Sequence, residues 1–174
     1  MTTVDLLVQI SKRRTEVTAT LEMVRQGSGQ GGLRLDGEQL SLQWIELDGE
    51  RLTEDEYTVG DTDLIVASVP DRFSLRTWYD LPEENTSLEG FYRSQSAYCT
   101  QCEAEGFRKI TYFPIARTCW RFNRHTRGGS RRVPVLLSNG NKVSEEDLDN
   151  GRHRWCGTTP SPNRHICSPW LPAT

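Results

Sequence analysis

Apolar and polar residues alternate with a period of two over much of the first eighty residues. The clearest run covers residues 17–23, where the apolar positions are Val17, Ala19, Leu21 and Met23. Successive side chains of a strand point to opposite faces, so this pattern predicts a strand with one buried face. Residues 40–47 alternate in the same way but shift phase near Gln43 and Trp44, which predicts a β-bulge.

Turn signals separate these segments at short intervals. Asp36-Gly37, Asp48-Gly49 and Gly60-Asp61 stand between apolar runs, and Asp-Gly is a preferred pair in tight hairpins. Short strands with turns about every 8–12 residues indicate an all-β sandwich. No stretch keeps a period of 3.6 residues long enough to predict an α-helix.

Composition narrows the class of protein. The chain has 174 residues, which is enough for one domain, and its formal charge of −3 gives no general attraction to nucleic acid or anionic membranes. No apolar run approaches the roughly 20 residues of a membrane-spanning helix. The N-terminal charges follow the apolar segment, which is the wrong order for a signal peptide. We therefore expect a cytoplasmic protein whose five cysteines are reduced.

Residues 85–113 hold most of the candidate chemistry. Polar and thiol groups gather there at Glu89, Cys99, Gln101, Cys102, Glu103 and Glu105. The Cys-x-x-Cys pair can be half a zinc site or a redox pair. A structural zinc site needs four ligands, and the other cysteines and histidines offer no second Cys-x-x-Cys spacing. A redox pair would need a thioredoxin-like βαβ context, which this strand-rich pattern lacks.

The same stretch resembles a known family. Its segments NTSLEGFYRS, CTQCEAEGFR and ITYF, together with PVLLSNGN at 134–141 and LDNGRH at 148–153, are similar to signatures of the bacterial aminopeptidase N type of zinc exopeptidase. The resemblance implies the saddle-like N-terminal β-sandwich domain of such an enzyme, here incomplete and irregular after residue 114. It also implies that the parent enzyme removes N-terminal residues from peptides, which reach it through a catalytic domain absent from this chain.

The resemblance assigns roles within the 99–108 motif. In this family the glutamate at the position of Glu103 reaches into the catalytic cleft and binds the free α-ammonium of the substrate, and a carboxylate suits that task. Gln101 then lines the pocket for the first side chain, and Cys99 and Cys102 pack around the loop. The alternative is that Glu103 is a solvated loop charge. We expect Arg108 to pair with Glu105 or with other neighbours, and Glu89 to serve the structure.

No catalytic residue and no metal ligand is expected in this chain. The family's zinc site is His-Glu-x-x-His on a helix, whereas His125, His153 and His165 are followed by Thr, Arg and Ile. Zinc therefore belongs to the parent enzyme, and we expect this chain alone to be inactive. The alternative reading is a free-standing β-sandwich that binds a partner without catalysis.

Two later segments, 115–132 and 154–174, show neither strand alternation nor a helical face. A shifted reading frame accounts for both, because suitable codons for 115–120 also encode DRPDVL and those for 158–174 encode DPFPKPSYLFALVAGD, as the family has there. The arginines of the first segment imitate a nucleic-acid surface, but this interpretation gives them no role. We therefore place the β-domain at 1–153, with 115–132 frame-shifted, and a disordered, frame-shifted tail at 154–174.

Overall fold

The computed structural model describes residues 3–11, 14–25, 31–82, 84–95, 97–102, 106–114, 122–130, 135–136, 140–149 and 151–158. For 122–130 only the backbone is described. Within these residues the strands are β1 (Thr3–Ile10), β2 (Thr15–Val24), β3 (Leu33–Asp36), β4 (Ser41–Leu47), β5 (Glu50–Arg51), β6 (Tyr57–Val59), β7 (Asp63–Val66), β8 (Arg72–Leu81), β9 (Gly90–Ser94), β10 (Ala97–Gln101), β11 (Phe122–Ser130), β12 (Asn141–Asp147) and β13 (Arg152–Thr158). A single-turn 3₁₀ helix covers Gly106–Lys109.

Eight strands form one mixed sheet in the order β12-β13-β11-β1-β2-β8-β4-β5. The β1–β11 pair is parallel and the other pairs are antiparallel. The predicted strand over 17–23 is the middle of β2, and its four apolar residues are all buried. The predicted bulge is confirmed, because the β4–β8 register shifts between Leu42 and Trp44.

A three-stranded sheet, β3-β7-β6, and a hairpin of β9 and β10 complete the described fold. The hydrophobic core joins these parts: Leu35, Leu64 and Val66 of the small sheet belong to the same buried cluster as the inward faces of β1, β2 and β8. Burying each such side chain contributes about 1.5–3 kcal/mol. The all-β class predicted from the alternation is confirmed.

The structure confirms two of the three predicted hairpin turns and contradicts the third. Asp48-Gly49 joins the antiparallel strands β4 and β5, and Gly60-Asp61 joins β6 and β7, as hairpin turns do. The prediction for Asp36-Gly37 is wrong, because β3 pairs with β7 and lies in a different sheet from β4. Asp36 instead exchanges two backbone hydrogen bonds with Phe113, at 2.8 and 2.9 Å.

The expectation that 115–132 and 154–174 are irregular is corrected for residues 122–130 and 154–158. Residues 122–130 form β11, which pairs with β1 on one side and β13 on the other. β13 continues to Thr158, past the predicted domain boundary at residue 153, so 154–158 is not a disordered tail. The physical reason is that backbone N–H and C=O groups can complete a sheet without apolar alternation, and in β13 the side chains of Trp155 and Cys156 are also buried. Residues 115–121 and 159–174 lie outside the described part.

No helix in the described residues is both long enough and apolar enough to cross a membrane.

Candidate functional site

The β9–β10 hairpin carries the part of the 99–108 motif that the structure describes. Its strands pair antiparallel, so Gln101, the last residue of β10, lies directly opposite Gly90, the first residue of β9. Gln101 is half-buried, whereas the next residue, Cys102, is buried. The predicted pocket residue Gln101 therefore stands at the base of the hairpin, where the chain leaves the strand.

The loop that follows Gln101 is closed by the backbone. The amide of Gly106 donates to the carbonyl oxygen of Cys102 at 2.9 Å. A Cβ at position 106 would lie 2.8 Å from the carbonyl oxygen of Gln101, so the close approach requires glycine. The predicted substrate ligand Glu103, and Glu105 with it, lie outside the described residues. Their roles stay predictions.

Charged side chains anchor the 3₁₀ helix beyond this loop. The Nε of Arg108 donates to Oε2 of Glu38 at 3.1 Å, and Nζ of Lys109 lies 2.7 Å from Oε2 of Glu89 and 3.5 Å from Oε1 of Glu38. The hydrogen bond from Lys109 lowers the pKa of Glu89 and raises the pKa of Lys109 itself. The expected pairing of Arg108 with a neighbour, and the structural use of Glu89, agree with these contacts.

The turn before the hairpin, residues 85–90, is organised by one asparagine. The Nδ2 of Asn85 donates to the carbonyl oxygens of Glu89 at 2.6 Å and Phe91 at 2.9 Å. Its Oδ1 accepts from the backbone amide of Ser87 at 3.0 Å and from its hydroxyl at 2.7 Å. Two residues of the turn, Leu88 and Gly90, adopt positive φ angles of 58° and 72°. A single side chain thus sets the shape of the whole turn.

One aromatic pair joins the two strands of the hairpin, and a second pair involves the 3₁₀ helix. Phe91 stacks on Tyr98 with ring centroids 5.6 Å apart, and Phe107 meets Phe113 edge to face at 4.9 Å. Beside the first pair lies a cavity of about 510 Å³, with Arg14, Asn85 and Tyr98 among its lining residues. Gln101 does not line this cavity. The Phe91–Tyr98 pair therefore supports the strand that carries Gln101, and the cavity is a separate feature.

The thiols do not form a metal site with other described residues. Cys99 is half-buried and Cys102 is buried. Among the residues that the structure describes, no three His, Cys, Asp or Glu side chains are grouped so that they could hold a metal ion. The sequence also contains no His-Glu-x-x-His. Within the described ranges, therefore, no zinc centre is assembled.

Sequence reasoning did not find Glu38 and Lys109. Glu38 is 70 residues from Arg108 along the chain, and no spacing rule connects residues across such a distance. The charge of Lys109 beside the motif was the only available signal, and it does not identify a partner.

Comparison with known proteins identifies relatives of this chain. Aminopeptidase N of Escherichia coli is 39% identical over 166 residues, and that of Caulobacter vibrioides is 40% identical over 169 residues. These matches cover 93% and 92% of this chain, but only 19% of each relative. The chain thus spans about a fifth of the length of these relatives, in their N-terminal part. No protein-family profile matches the chain.

Solved structures agree on the fold. Legionella pneumophila aminopeptidase A, in complex with aspartic acid, superposes with a TM-score of 0.90 at 28% identity, covering 98% of this chain and 21% of that one. An M1 zinc metallopeptidase from Deinococcus radiodurans superposes with a TM-score of 0.76 at 12% identity, covering 98% of this chain and 41% of that one. At this identity the likeness shows the fold alone. By sequence and by fold, this chain corresponds to the N-terminal part of proteins named aminopeptidase N.

Proposed function

We propose that this chain forms the N-terminal wall of the peptide-binding cleft of a zinc aminopeptidase. Glu103 contacts the free α-ammonium of the substrate, and Gln101 lines the pocket for the first side chain. The observation that carries the proposal is the identity of 33–40% to three proteins named aminopeptidase N, over at least 92% of this chain.

The position of Gln101 supports this assignment. It lies at the end of a strand that the Phe91–Tyr98 pair joins to its partner strand, and the 3₁₀ helix that follows is held by two basic residues. A side chain on such a support keeps its position when a ligand arrives, and this lowers the entropic cost of binding. The zinc of the enzyme would be held by the part of the protein outside the matched region.

The role proposed for Glu103 rests on charge. A carboxylate that accepts hydrogen bonds from an ammonium contributes about 1.5–3 kcal/mol more than a contact with water does. Glutamine has the same shape but no charge, so Glu103→Gln should weaken binding of the substrate's amino end. Because 1.4 kcal/mol is a factor of ten, the expected loss in kcat/KM is about tenfold to a hundredfold.

A hybrid enzyme tests the proposal. In it, this chain replaces the matched N-terminal part of E. coli aminopeptidase N, and release of 4-nitroaniline from alanyl-4-nitroanilide is measured. Glu103→Gln should reduce kcat/KM, whereas the matched control Glu54→Gln, an exposed glutamate after β5, should not. Gln101→Glu should shift preference towards substrates with a basic first residue. Unchanged kcat/KM in the Glu103→Gln hybrid would remove the substrate role.

A further inference from the structure

The link between β3 and β4, residues 36–40, packs against the 3₁₀ helix and the residues that follow it. The backbone amide of Glu38 donates to the carbonyl oxygen of Arg108 at 3.0 Å. A Cβ at Gly37 would lie 2.2 Å from Cδ1 of Tyr112, whose side chain is buried, so the close approach requires glycine. The backbone of the link is therefore fitted closely to this part of the chain.

The carboxylate of Glu38 contacts two consecutive residues of the 3₁₀ helix. Its Oε2 accepts from Nε of Arg108 at 3.1 Å, and its Oε1 lies 3.5 Å from Nζ of Lys109. The side chain of Glu38 is 26% exposed, and that of Lys109 is 12% exposed. Partly buried charge pairs are screened less by salt than surface pairs are. One carboxylate thus holds both basic side chains of the helix.

The 3₁₀ helix begins at Gly106, which is the end of the segment that contains Glu103. The amide of Gly106 is bound to the carbonyl oxygen of Cys102, and its Cα leaves no room for a Cβ beside the carbonyl oxygen of Gln101. Both ends of the three-residue segment between Cys102 and Gly106 are therefore fixed. A shift of the helix would move one of these ends and would disturb the backbone of Gln101.

We propose that Glu38 is a positioning residue for substrate binding, because it holds the helix at the end of the segment that contains Glu103. Glu38 acts through Glu103 and Gln101. The inference rests on the proposed function, which gives those two residues their contacts with the substrate. Groups that are held in place before the substrate arrives bind it at a lower entropic cost.

The hybrid enzyme tests this role through the variant Glu38→Gln, which keeps the size of the side chain and removes its charge. We expect KM for alanyl-4-nitroanilide to rise about threefold to tenfold with kcat little changed, because substrate binding is weakened. Glu38→Asp keeps the charge and should recover part of the affinity. A purely structural role would reduce the amount of folded enzyme, which lowers apparent kcat and leaves KM unchanged.

Glu46→Gln is the matched control. The side chain of Glu46 is 18% exposed, and its two carboxylate oxygens lie 3.6 and 3.7 Å from nitrogens of Arg51 and Arg76. Glu46 therefore also pairs with two basic residues, but it does so on β4 and β8 of the large sheet. Its replacement should leave KM unchanged.

A second measurement does not depend on substrate. In the 174-residue chain, exchange of the Gly106 amide hydrogen is followed by NMR, because this amide closes the segment through its bond to Cys102. Glu38→Gln should speed that exchange about threefold to tenfold through more frequent local opening, and Glu46→Gln should not. Thermal melting of each variant checks that the chain is folded.

Two failures can be told apart. An unchanged KM in Glu38→Gln, in a hybrid where Glu103→Gln lowers kcat/KM, would overturn the positioning role and leave the proposed function standing. Equal exchange rates at Gly106 in wild type and Glu38→Gln would also overturn it. If neither Glu38→Gln nor Glu103→Gln changes the kinetics while exchange at Gly106 is faster, the proposed function fails, and Glu38 then has no substrate-binding group to position.

Discussion

Replacing Gly90 by alanine tests whether the hairpin base needs its close backbone packing. Gly90 has a φ of 72°, which an L-residue rarely adopts. A Cβ built there lies 2.6 Å from Cβ of Lys109 and 3.3 Å from its carbonyl oxygen. Alanine would therefore be strained in its backbone and would also collide with the 3₁₀ helix. The collision involves Cβ and backbone atoms, which cannot rotate away.

Two other glycines separate these effects. Gly49 has a φ of 90° and no heavy atom within 4 Å of its built Cβ, so Gly49→Ala carries the backbone strain alone, about 1–2 kcal/mol. Gly31 has open space and a φ outside the left-handed region, so Gly31→Ala should be neutral or stabilising by up to about 1 kcal/mol. Overlap at Gly90 adds about 1–3 kcal/mol. The expected loss for Gly90→Ala is therefore about 2–5 kcal/mol.

Urea unfolding followed by circular dichroism measures the difference. With a slope of about 2 kcal/mol per molar urea, the midpoint of Gly90→Ala should lie about 0.5–1.5 M below that of Gly49→Ala. Gly31→Ala should match or exceed the wild type. Equal midpoints for Gly90→Ala and Gly49→Ala would show that the 3₁₀ helix does not press on the hairpin. That result would also remove the support argued for the position of Gln101.

Three further predictions follow from the same structure. Burial raises the pKa of Tyr112 to about 12 and the pKa of Tyr79 still further. Because unfolded tyrosine ionises first, the free energy of unfolding should fall as pH rises above about 10, and Tyr112→Phe should reduce that slope in urea titrations. The lowered pKa of Glu89 stabilises the fold above its unfolded value of 4.5, and this contribution is lost as pH falls through the folded pKa, so Lys109→Met should flatten the acid dependence of Tm. The purified 174-residue chain with added zinc should release no 4-nitroaniline from alanyl-4-nitroanilide, and release above a no-protein control would contradict the expectation that this chain alone is inactive.

Local pattern predicted those parts of the fold that depend on neighbouring residues. Alternation identified β2, and a phase slip identified the bulge of β4, because both are properties of consecutive side chains on a pleated strand. The division of β3 and β4 between two sheets could not be predicted, since the Asp36-Gly37 pair has the composition of a hairpin turn. Its actual partner, Phe113, is far along the chain, and only tertiary packing selects it.

The candidate site also contains residues that the sequence could identify and residues that it could not. Gln101 could be singled out because a resemblance to the 99–108 motif attached a role to it. Its supports could not be singled out, because the ion pair between Glu38 and Arg108 and the turn set by Asn85 depend on how distant segments meet. Leu88 lies in the NTSLEGFYRS segment that carries the resemblance, but the sequence does not show that it is exposed or that its φ angle is positive. Only the three-dimensional structure supplies these two properties.

The presence of the strands β11 and β13 is only weak evidence against the shifted-frame hypothesis. A strand that joins a sheet does so through backbone groups, which every residue except proline supplies. β1 has one edge paired to β2, and its other edge needs a partner whatever side chains that partner carries. β11 contains Gly128 and Gly129, which weaken a strand interior, so its sequence contributes little to its own pairing. A frame-shifted segment of the right length would therefore fill the same place.

The codons from residue 85 to beyond residue 174 decide the question. If single-base corrections restore DRPDVL and DPFPKPSYLFALVAGD, the frame is shifted. If they do not, the arginines of 122–130 are native and the hypothesis is wrong.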